Sequence, residues 1–347
     1  MESDVGTSNS TALVTGAAGF IGAHLTRALA SRPGMQVIAL DDLSGGFKEN
    51  VPPGVPLIEG SVNDAALVRR IFERRRITHV FHLAAYAAEG LSHFIRRFNY
   101  TNNVIGSVNL INEAVRHEVE CFVFTSSIAV YGALPSPMRE SDAPRPEDPY
   151  GIAKLAVELD LAAAARMFGL RYVIFRPHNV YGEYQNLGDP YRNVIGIFMN
   201  QIMQGRPMTI FGDGTQQRAF SYVGDIIPAI ANSPWMPAAR NEVFNVGAET
   251  PHSVAELART VARAMGAPNH PIEFLPERQE VHTAYSDHTK ASRVFGSRPA
   301  TTLDAGVRTM AAWARRAGAR TGRPFDGVEI AKGLPESWRR ITEMTHA

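Results

Sequence analysis

The first part of the chain alternates short apolar runs with longer amphipathic stretches. Each apolar run has the length of a buried strand, and the stretches between them carry apolar residues at helical spacing. Strands and helices that alternate in this way form a parallel sheet covered on both faces. The predicted strands are Ala12–Thr15, Gln36–Leu40, Pro56–Glu59, His79–Leu83, Phe122–Thr125 and Tyr172–Arg176. The predicted helices lie near Phe20–Ser31, Asn63–Arg74, Phe98–Arg116 and Tyr150–Phe168.

The alternation ends after Pro177, where loops separate more widely spaced elements. One short apolar run, Val243–Val246, still has the pattern of a further strand of the main sheet. The other predicted elements are a strand-like segment at Pro207–Phe211 and helices at Val194–Gln204, Val254–Met265 and Leu303–Arg315. The tail from Ala319 onward carries no pattern that indicates a role.

These patterns predict an α/β fold with a Rossmann-type, doubly wound parallel sheet and a smaller, interleaved C-terminal domain. We expect the larger domain at residues 1–177, completed by about 217–248. The smaller domain is then formed by residues 178–216 and 249–347. Ligands of such a fold bind at the carboxyl ends of the strands.

Composition narrows the class of protein without changing the predicted fold. The 347 residues are 45% hydrophobic and 20% charged, and a net charge of +1 provides no electrostatic basis for binding nucleic acid or a membrane. The one cysteine, Cys121, excludes an intrachain disulfide framework and a multi-cysteine metal site. No apolar run reaches the roughly 18 residues of a membrane span, and no signal-peptide pattern is present. We therefore expect a cytoplasmic protein with no metal site.

A glycine-rich turn follows the first predicted strand. Gly16, Gly19 and Gly22 lie between this strand and an amphipathic helix, in the run TALVTGAAGFIG. Glycines let the backbone bend sharply and approach a phosphate group, and the helix N-terminus offers free N–H donors to a pyrophosphate. Taken alone, such a turn is also compatible with an ordinary strand–helix connection.

An acidic pair ends the second predicted strand. Asp41 and Asp42 follow nineteen residues after Gly22, where a carboxylate accepts hydrogen bonds from the adenosine ribose of a bound dinucleotide. A carboxylate at this place repels a 2′-phosphate, which favours NAD over NADP. The glycine turn and the acidic pair together predict a bound dinucleotide.

Three further residues have the chemistry of a proton-transfer site. Tyr150 and Lys154 are four positions apart at the start of a predicted helix, so both side chains project from the same face. A neighbouring ammonium and a cationic nicotinamide ring both lower the pKa of a tyrosine, which is otherwise near 10. Ser127 follows the strand Phe122–Thr125, at the edge where this fold binds ligands. A surface Tyr–Lys pair and a capping serine are the alternative interpretation.

Taken together, the glycine turn, Ser127 and the Tyr150/Lys154 pair resemble the extended short-chain dehydrogenase/reductase family, from about Ala12 to Ala317. Within it, the segments VTGAAGFIGAHL, VFHLAAY, NNVIGSVNLINEA, FTSSIAVYG, PYGIAK and IFGDGTQQRAFSYV are most similar to UDP-galactose 4-epimerases and their relatives. The resemblance implies an NAD-dependent epimerase that inverts C4 of a nucleoside-diphosphate hexose through a 4-keto intermediate. Ser127, Tyr150 and Lys154 are then its catalytic residues.

The resemblance also implies a set of ligand contacts. Contacts with NAD are implied for Gly16, Gly19, Phe20, Ile21, Gly22, Asp41, Asp42, Ser61, Val62, Leu83, Ala84, Ala85, Asn103, Thr125, Tyr150, Lys154 and Pro177. Contacts with the nucleoside-diphosphate sugar are implied for Ser127, Tyr150, Asn179, Phe211, Arg218 and Arg278. A homodimer is implied through the helices near Phe98–Arg116 and Tyr150–Phe168, with an apolar stripe at Leu155, Leu159 and Ala162.

Several positions depart from the family pattern. Ile128 and Ala129 replace the acidic pair of the 4,6-dehydratases, which argues against dehydration. Ala87 replaces a lysine found near the cofactor in some members, and His178 replaces a common aromatic residue. Ala284 lies where residue size selects substrates, and its methyl group leaves room for an N-acetyl or carboxylate substituent. The alternatives left open are another oxidoreductase or epimerase acting on an unusual nucleotide sugar, and a non-catalytic dinucleotide sensor.

Overall fold

A parallel β-sheet with helices on both faces organises the chain, in a computed structural model that describes residues 10–192, 194–277, 281–297, 300–322 and 325–343. The strands are β1 (Ser10–Thr15), β2 (Met35–Asp41), β3 (Leu57–Glu59), β4 (His79–His82), β5 (Cys121–Thr125), β6 (Tyr172–Pro177), β7 (Val180–Tyr181), β8 (Met208–Phe211), β9 (Gln217–Ala219), β10 (Ser221–Tyr222), β11 (Glu242–Val246), β12 (Pro251–Ser253), β13 (Ile272–Leu275) and β14 (Thr283–Ala284).

The helices surround this sheet and build a second layer beyond it. They are α1 (Phe20–Ala30), α2 (Ala65–Arg74), α3 (Glu89–Ser92), α4 (Arg96–Tyr100), α5 (Gly106–Arg116), α6 (Pro149–Phe168), α7 (Val194–Met203), α8 (Val223–Asn232), α9 (Val254–Ala264), α10 (Thr289–Phe295), α11 (Leu303–Ala317) and α12 (Glu336–Glu343). A π-helical segment spans Thr101–Ile105, and 3-10 helices span Lys48–Asn50, Ile128–Tyr131, Ser233–Trp235 and Pro237–Ala239. Within the described ranges, no helix combines the length and the apolar character that crossing a bilayer requires.

The large sheet contains seven strands in the order β11-β6-β5-β4-β1-β2-β3, and every neighbouring pair is parallel. The chain moves outward from β1 to β3, returns beside β1 as β4, and continues in the opposite direction. The strand order therefore reverses between β1 and β4, and their carboxyl ends flank the crevice where such sheets bind ligands. The predicted doubly wound sheet is confirmed, and the segment predicted at Val243–Val246 lies in its seventh strand, β11.

Side chains of β1 alternate between two hydrophobic cores, one on each face of the sheet. Ala12 and Val14 belong to the core that also contains Ile230 of α8. Leu13 belongs to the opposite core with Leu161 of α6. Full burial of each such aliphatic side chain contributes about 1.5–3 kcal/mol, which explains why both faces of the strand are apolar.

A third core lies apart from the large sheet. It joins Phe198 of α7, Met208 of β8, Leu257 of α9 and Met310 of α11. The helices predicted after residue 177 are present, and the strand predicted near residues 207–211 is β8, which pairs with β13. This separate core supports the smaller domain, although its boundaries stay a prediction.

The helix predicted over Phe98–Arg116 is interrupted. A π-helical segment, Thr101–Ile105, separates α4 from α5. Within it, the side-chain amide of Asn103 donates to Asn99 Oδ1 at 2.8 Å and its Oδ1 accepts from the backbone N–H of Tyr86 at 2.8 Å. The wider turn accommodates a bond to a loop distant in sequence, which helical periodicity does not reveal.

The C-terminal tail, which carried no signal in the sequence, packs beside the sheet. Leu334 and Trp338 form a small core with Leu91 and Ile95. The two carboxylate oxygens of Glu329 accept hydrogen bonds from two backbone N–H groups in the first turn of α4, each at 2.8 Å. A carboxylate at this position satisfies N–H groups that a helix leaves free. The tail therefore fixes the segment that follows β4.

Candidate active site

A deep cleft of about 1660 Å³ lies at the carboxyl ends of the parallel strands. This volume exceeds the roughly 300–1,000 Å³ of a typical small-molecule site, so the cleft has room for more than one ligand. Every described residue that the sequence analysis placed at the site lines this cleft, with the exception of Asn103. Arg278 lies outside the described residues, so its expected substrate contact stays a prediction.

The glycine turn after β1 packs against the loop after β4. Gly16 has a φ of +69°, and a β-carbon on it would lie 2.8 Å from the backbone nitrogen of Ala84. A β-carbon on Gly22 would lie 2.0 Å from the carbonyl oxygen of Gly16. No described side chain caps the N-terminus of α1, so its first N–H groups and the positive end of its dipole remain available at the cleft. The backbone is shaped for close approach by a phosphate group.

Asp41 and Asp42 lie at the cleft in different environments. Asp41 is buried, and its two oxygens accept hydrogen bonds from the backbone N–H groups of Ala18 at 2.9 Å and Leu43 at 2.8 Å. Burial raises the pKa of the Asp41 carboxyl, although these bonds oppose the shift. Asp42 is exposed, and its Oδ1 accepts from the N–H of Ser44 at 3.0 Å. Both carboxylates retain lone pairs for ribose hydroxyl groups.

The side chain of Asn103 is not among those that line the cleft, so its expected cofactor contact stays a prediction. Its side-chain amide is buried and donates to the carbonyl oxygen of Tyr86 at 3.2 Å, while its Oδ1 accepts from the N–H of the same residue. These bonds hold the loop after β4, which contains Leu83, Ala84 and Ala85 and does line the cleft. Asn103 therefore lies behind the wall and positions it.

Helix α6 places Tyr150 and Lys154 at the cleft. The helix begins with Pro149, which suits a first helical position because it lacks an N–H group. Asp148 caps it by accepting a hydrogen bond from the N–H of Gly151 at 2.9 Å. Tyr150 and Lys154 lie one turn apart, and both are buried. Local capping thus fixes where the first turn of α6 meets the ends of the strands.

The Lys154 ammonium lies beneath the Tyr150 ring. Its Nζ donates to the main-chain oxygen of Thr125 at 2.8 Å and lies 5.7 Å from the centroid of the Tyr150 ring. Burial lowers the pKa of Lys154 to about 7, against the opposing effect of Glu158. Burial also raises the pKa of Tyr150, and a hydrogen bond with Ser127 opposes that rise. A further positive charge in the cleft is therefore needed to favour the phenolate.

Ser127 and Thr125 complete this end of the cleft. Ser127 caps the 3-10 helix at Ile128–Tyr131 by accepting from the N–H of Ala129 at 3.1 Å, which is the structural role considered as its alternative. It is also the hydroxyl partner of Tyr150. The Thr125 hydroxyl is buried at the cleft wall and has no hydrogen-bond partner among the described residues. An unpartnered buried hydroxyl is costly unless a ligand satisfies it.

A ladder of buried polar side chains supports the site from behind. Ser126 Oγ donates to Glu158 at 2.5 Å, and Arg176 Nε donates to the same carboxylate at 2.9 Å. Arg176 Nη1 donates to the Tyr131 hydroxyl at 2.8 Å, which in turn donates to Asn245 at 2.9 Å. No sequence motif predicted this ladder. Its signal was the presence of charged residues inside otherwise apolar segments.

Three residues predicted to contact only the substrate line the part of the cleft that is built outside the large sheet, which we call its substrate end. Asn179 follows β6 with a φ of +43°, a conformation that asparagine tolerates. Phe211 ends β8, and Arg218 on β9 directs its guanidinium nitrogens to the carbonyl oxygens of Gln217, Val281 and His282. These bonds hold Arg218 at the cleft wall.

His178 lies beside this end and forms a buried pair with His288. The two rings stack with centroids 5.2 Å apart, and their Nε2 atoms are 3.1 Å apart. Burial, reinforced by His288, lowers the pKa of His178 to about 3, and burial lowers that of His288 to about 4. Both imidazoles are therefore neutral near pH 7.

Two parts of the cleft wall were not predicted. The C-terminal tail contributes Lys332, Pro335 and Trp338. The loop between β7 and α7 contributes Asp189 and Arg192. Neither segment carries a local motif, because both reach the cleft only through long-range packing.

Comparison with known proteins identifies the family. Residues 12–247 match the NAD dependent epimerase/dehydratase family. The chain belongs to this family. A UDP-glucose 4-epimerase of Mycolicibacterium smegmatis is 35% identical over 85% of this chain and 95% of its own length.

Solved structures agree with this assignment. A UDP-glucose 4-epimerase of Thermotoga maritima, determined with UDP-glucose, matches with a TM-score of 0.82 and 34% identity over 88% of this chain and 99% of that one. A UDP-glucuronic acid 4-epimerase of Bacillus cereus, in complex with UDP-glucuronic acid and NAD, matches with a TM-score of 0.80 and 26% identity over 88% and 99% of the two chains.

NAD is the cofactor of this family, and the cleft fits it. The glycine turn leaves a cradle that a β-carbon at Gly16 or Gly22 would fill. The uncapped N-terminus of α1 suits the pyrophosphate, and Asp41 and Asp42 suit the adenosine ribose. The unpartnered Thr125 hydroxyl lies beside Lys154, where the nicotinamide half is expected.

Proposed function

We propose that the chain is an NAD-dependent 4-epimerase of a nucleoside-diphosphate hexose, of the UDP-glucose/UDP-galactose type. The observation that carries the proposal is the meeting of Ser127, Tyr150 and Lys154 at one end of the dinucleotide cleft. Dinucleotide sensors need the cleft but have no use for this triad, of which Tyr150 and Lys154 are buried.

Each residue of the triad has a distinct task. Tyr150 removes the proton of the sugar 4′-hydroxyl, and Ser127 holds that hydroxyl by a hydrogen bond. Lys154 adds a positive charge that favours the phenolate. The chemistry that NAD supplies when bound is the reversible acceptance of a hydride from C4. The keto sugar then turns within the cleft, and Tyr150 returns the proton as the opposite face of C4 is reduced.

Dehydration has no comparable support. Ser127 is followed by Ile128 and Ala129, which form the start of the 3-10 helix and have no ionisable group. Elimination of water needs an acid and a base near the departing hydroxyl. Epimerisation needs no acid or base other than Tyr150, so the residues present favour epimerisation over dehydration.

A narrower question is which hexose the cleft accepts. Ala284 lines the cleft on β14, and its methyl group is compatible with a hexose that carries an N-acetyl or carboxylate substituent. The Bacillus cereus relative binds such a uronic acid. UDP-uronic acids and UDP-N-acetylhexosamines are therefore the second class of candidate substrates. In either case we propose that residues 1–177 with 217–248 hold NAD, and residues 178–216 with 249–347 hold the sugar nucleotide.

We also propose a homodimer through the helical segments near Phe98–Arg116 and Tyr150–Phe168, which include Ile105 of the π-helical segment and Leu159 of α6. Leu159 is 63% exposed and Ile105 is 52% exposed, both unusual for large apolar side chains. The predicted stripe is only partly free, because Leu155 packs against an internal cluster and Ala162 against a main core. Sedimentation at micromolar concentration tests this: a dimer that Leu159→Glu dissociates supports the proposal, and a wild-type monomer refutes it.

The reaction is tested by incubating the purified protein, without added NAD, with UDP-glucose, UDP-N-acetylglucosamine and UDP-glucuronic acid. Formation of a C4 epimer without net NADH supports epimerisation. NADH formed in proportion to the sugar, in a parallel incubation with added NAD, would instead show an oxidoreductase, and NAD binding without any turnover would show a sensor.

A further inference from the structure

Arg192 extends into the cleft from the loop between β7 and α7. Its Nε donates to Asp189 Oδ2 at 2.6 Å, and Asp189 Oδ1 accepts from the N–H of Tyr191 at 2.9 Å. The side chains of Arg192 and Asp189 are only 17% and 8% exposed. A long cationic side chain loses much conformational entropy when it is fixed, so a guanidinium held in this way indicates a built site.

The guanidinium bridges two loops of the sheet. Its Nη2 lies 3.2 Å from the place that a β-carbon on Gly45, in the loop after β2, would occupy. Its Cζ lies 4.9 Å from the ring centroid of Tyr86, in the loop after β4. Strands β2 and β4 lie on either side of β1. Arg192 therefore contacts the two loops that flank the turn after β1, the glycine turn with the free N-terminus of α1.

The fork of Arg192 retains donors toward the cleft. Asp189 engages Nε and Nη2, while Nη1 forms no hydrogen bond within the described part of the chain. A planar guanidinium with a free edge is well suited to phosphate oxygens. The loop after β4 carries Ala87, so that segment supplies no cation of its own at this position.

We propose that Arg192, positioned by Asp189, binds the pyrophosphate of NAD from the side opposite to the N-terminus of α1 and so straps the cofactor into the cleft. The dianionic pyrophosphate then lies between a helix dipole and a guanidinium. A cofactor held from both sides stays bound through many turnovers, as a reaction that regenerates it requires. The inference depends on NAD as cofactor and is independent of the sugar on which the chain acts.

Packing against the C-terminal tail sets the position of this loop. The Tyr191 hydroxyl accepts a hydrogen bond from the N–H of Phe325 at 3.2 Å, and the Tyr191 ring meets Trp338 edge to face at 5.3 Å. Gly188 and Gly322 approach so closely that neither tolerates a side chain at the contact. The tail thus contacts the loop that carries Arg192 at the cofactor site.

The test is the affinity of the protein for NAD and NADH in the absence of sugar, measured by ligand fluorescence and by retention of cofactor on gel filtration. We expect Arg192→Gln to weaken binding by about tenfold or more, because a charge-assisted hydrogen bond to phosphate is lost. Raising the salt concentration then weakens NAD binding less in the variant than in the wild type. The control is Arg320→Gln: Arg320 stacks on Phe47 of the same β2 loop at 3.8 Å but does not line the cleft, and we expect unchanged affinity.

Wild-type affinity for NAD in a folded Arg192→Gln protein overturns the proposal. So does a selective loss of UDP binding with NAD binding intact, since that result assigns Arg192 to the sugar nucleotide. If Arg192→Gln does not fold, Arg192→Lys keeps the charge without the fork, and the proposal requires a several-fold loss of NAD affinity from it. Unchanged affinity in that variant overturns the proposal as well.

Discussion

The two ends of the cleft are constructed differently. The cofactor end is formed by backbone at the carboxyl ends of adjacent parallel strands. There the backbones of Gly16 and Ala84 pack so closely that a β-carbon on Gly16 would clash with Ala84. The substrate end is formed by side chains on short strands outside the large sheet, such as Phe211, Arg218 and Ala284. Substitutions at the first end therefore disturb the fold and the cofactor together. We expect substitutions at the second end to change which ligand is preferred and to leave the fold intact.

The largest effect is expected at the glycine turn. Gly22→Ala places a β-carbon 2.0 Å from the Gly16 carbonyl oxygen, and we expect a loss of about 3 kcal/mol or more of unfolding free energy together with NAD binding. The control is Gly196→Ala in α7, where a β-carbon meets only ordinary contacts at 3.4 Å and beyond. Urea denaturation measures both. A stable Gly22→Ala protein that still binds NAD would remove the proposed contrast between the two ends.

Removal of the Tyr150 hydroxyl is expected to slow the reaction without weakening the binding of NAD. Tyr150→Phe should lower kcat by about 10²–10⁴, the usual contribution of a positioned acid–base group, while NAD affinity changes little. Tyr172→Phe is a matched control, because Tyr172 is also buried but lies at the start of β6, outside the cleft. Steady-state kinetics of each variant measure this loss of kcat. Near-normal turnover by Tyr150→Phe would exclude Tyr150 as the base.

A further effect is expected on the stability of the protein, through the buried amino group of Lys154. Lys154 has a folded pKa of about 7 against an ordinary value of 10.5, so the unfolded chain binds more protons between these values. The stability of the wild-type apoprotein should therefore rise with pH across that window.

The matching variant is Lys154→Met, which has no group to titrate. We expect it to be more stable than the wild type by about 4 kcal/mol at pH 7 and below, and this advantage should shrink toward pH 10. Denaturant titrations of the apoproteins at several pH values provide the measurement. A stability difference that does not vary with pH would contradict the assigned shift.

The smallest effect is expected at the substrate end. Ala284→Phe fills space that an N-acetyl or carboxylate substituent would use, and we expect kcat/KM for such sugars to fall about tenfold relative to UDP-glucose. Thermal unfolding and NAD affinity should remain at wild-type values. Equal losses for all sugars would show that Ala284 does not distinguish between them.

The difference between the two ends also explains what the sequence could and could not predict. The strands were predictable because both faces are buried and each reads as an apolar run. The glycine turn was predictable because its residues are consecutive. The hydrogen bonds between the Asn103 amide and Tyr86 could not be predicted, because a motif does not show which partner a buried side chain takes. Arg192 and the tail around Trp338 could not be predicted, since only tertiary packing brings them to the cleft.

The proposed reaction is tested most directly with UDP-glucose carrying deuterium at C4, incubated with the purified protein and no added cofactor, with the products followed by NMR. We predict a C4 epimer that retains its deuterium, because the hydrogen removed by NAD returns to the same carbon. The same experiment with labelled UDP-N-acetylglucosamine or UDP-glucuronic acid covers the second candidate substrates. Loss of the label to solvent, lasting conversion of the bound NAD to NADH without an epimer, or no epimer from any of these sugars would contradict the proposed function.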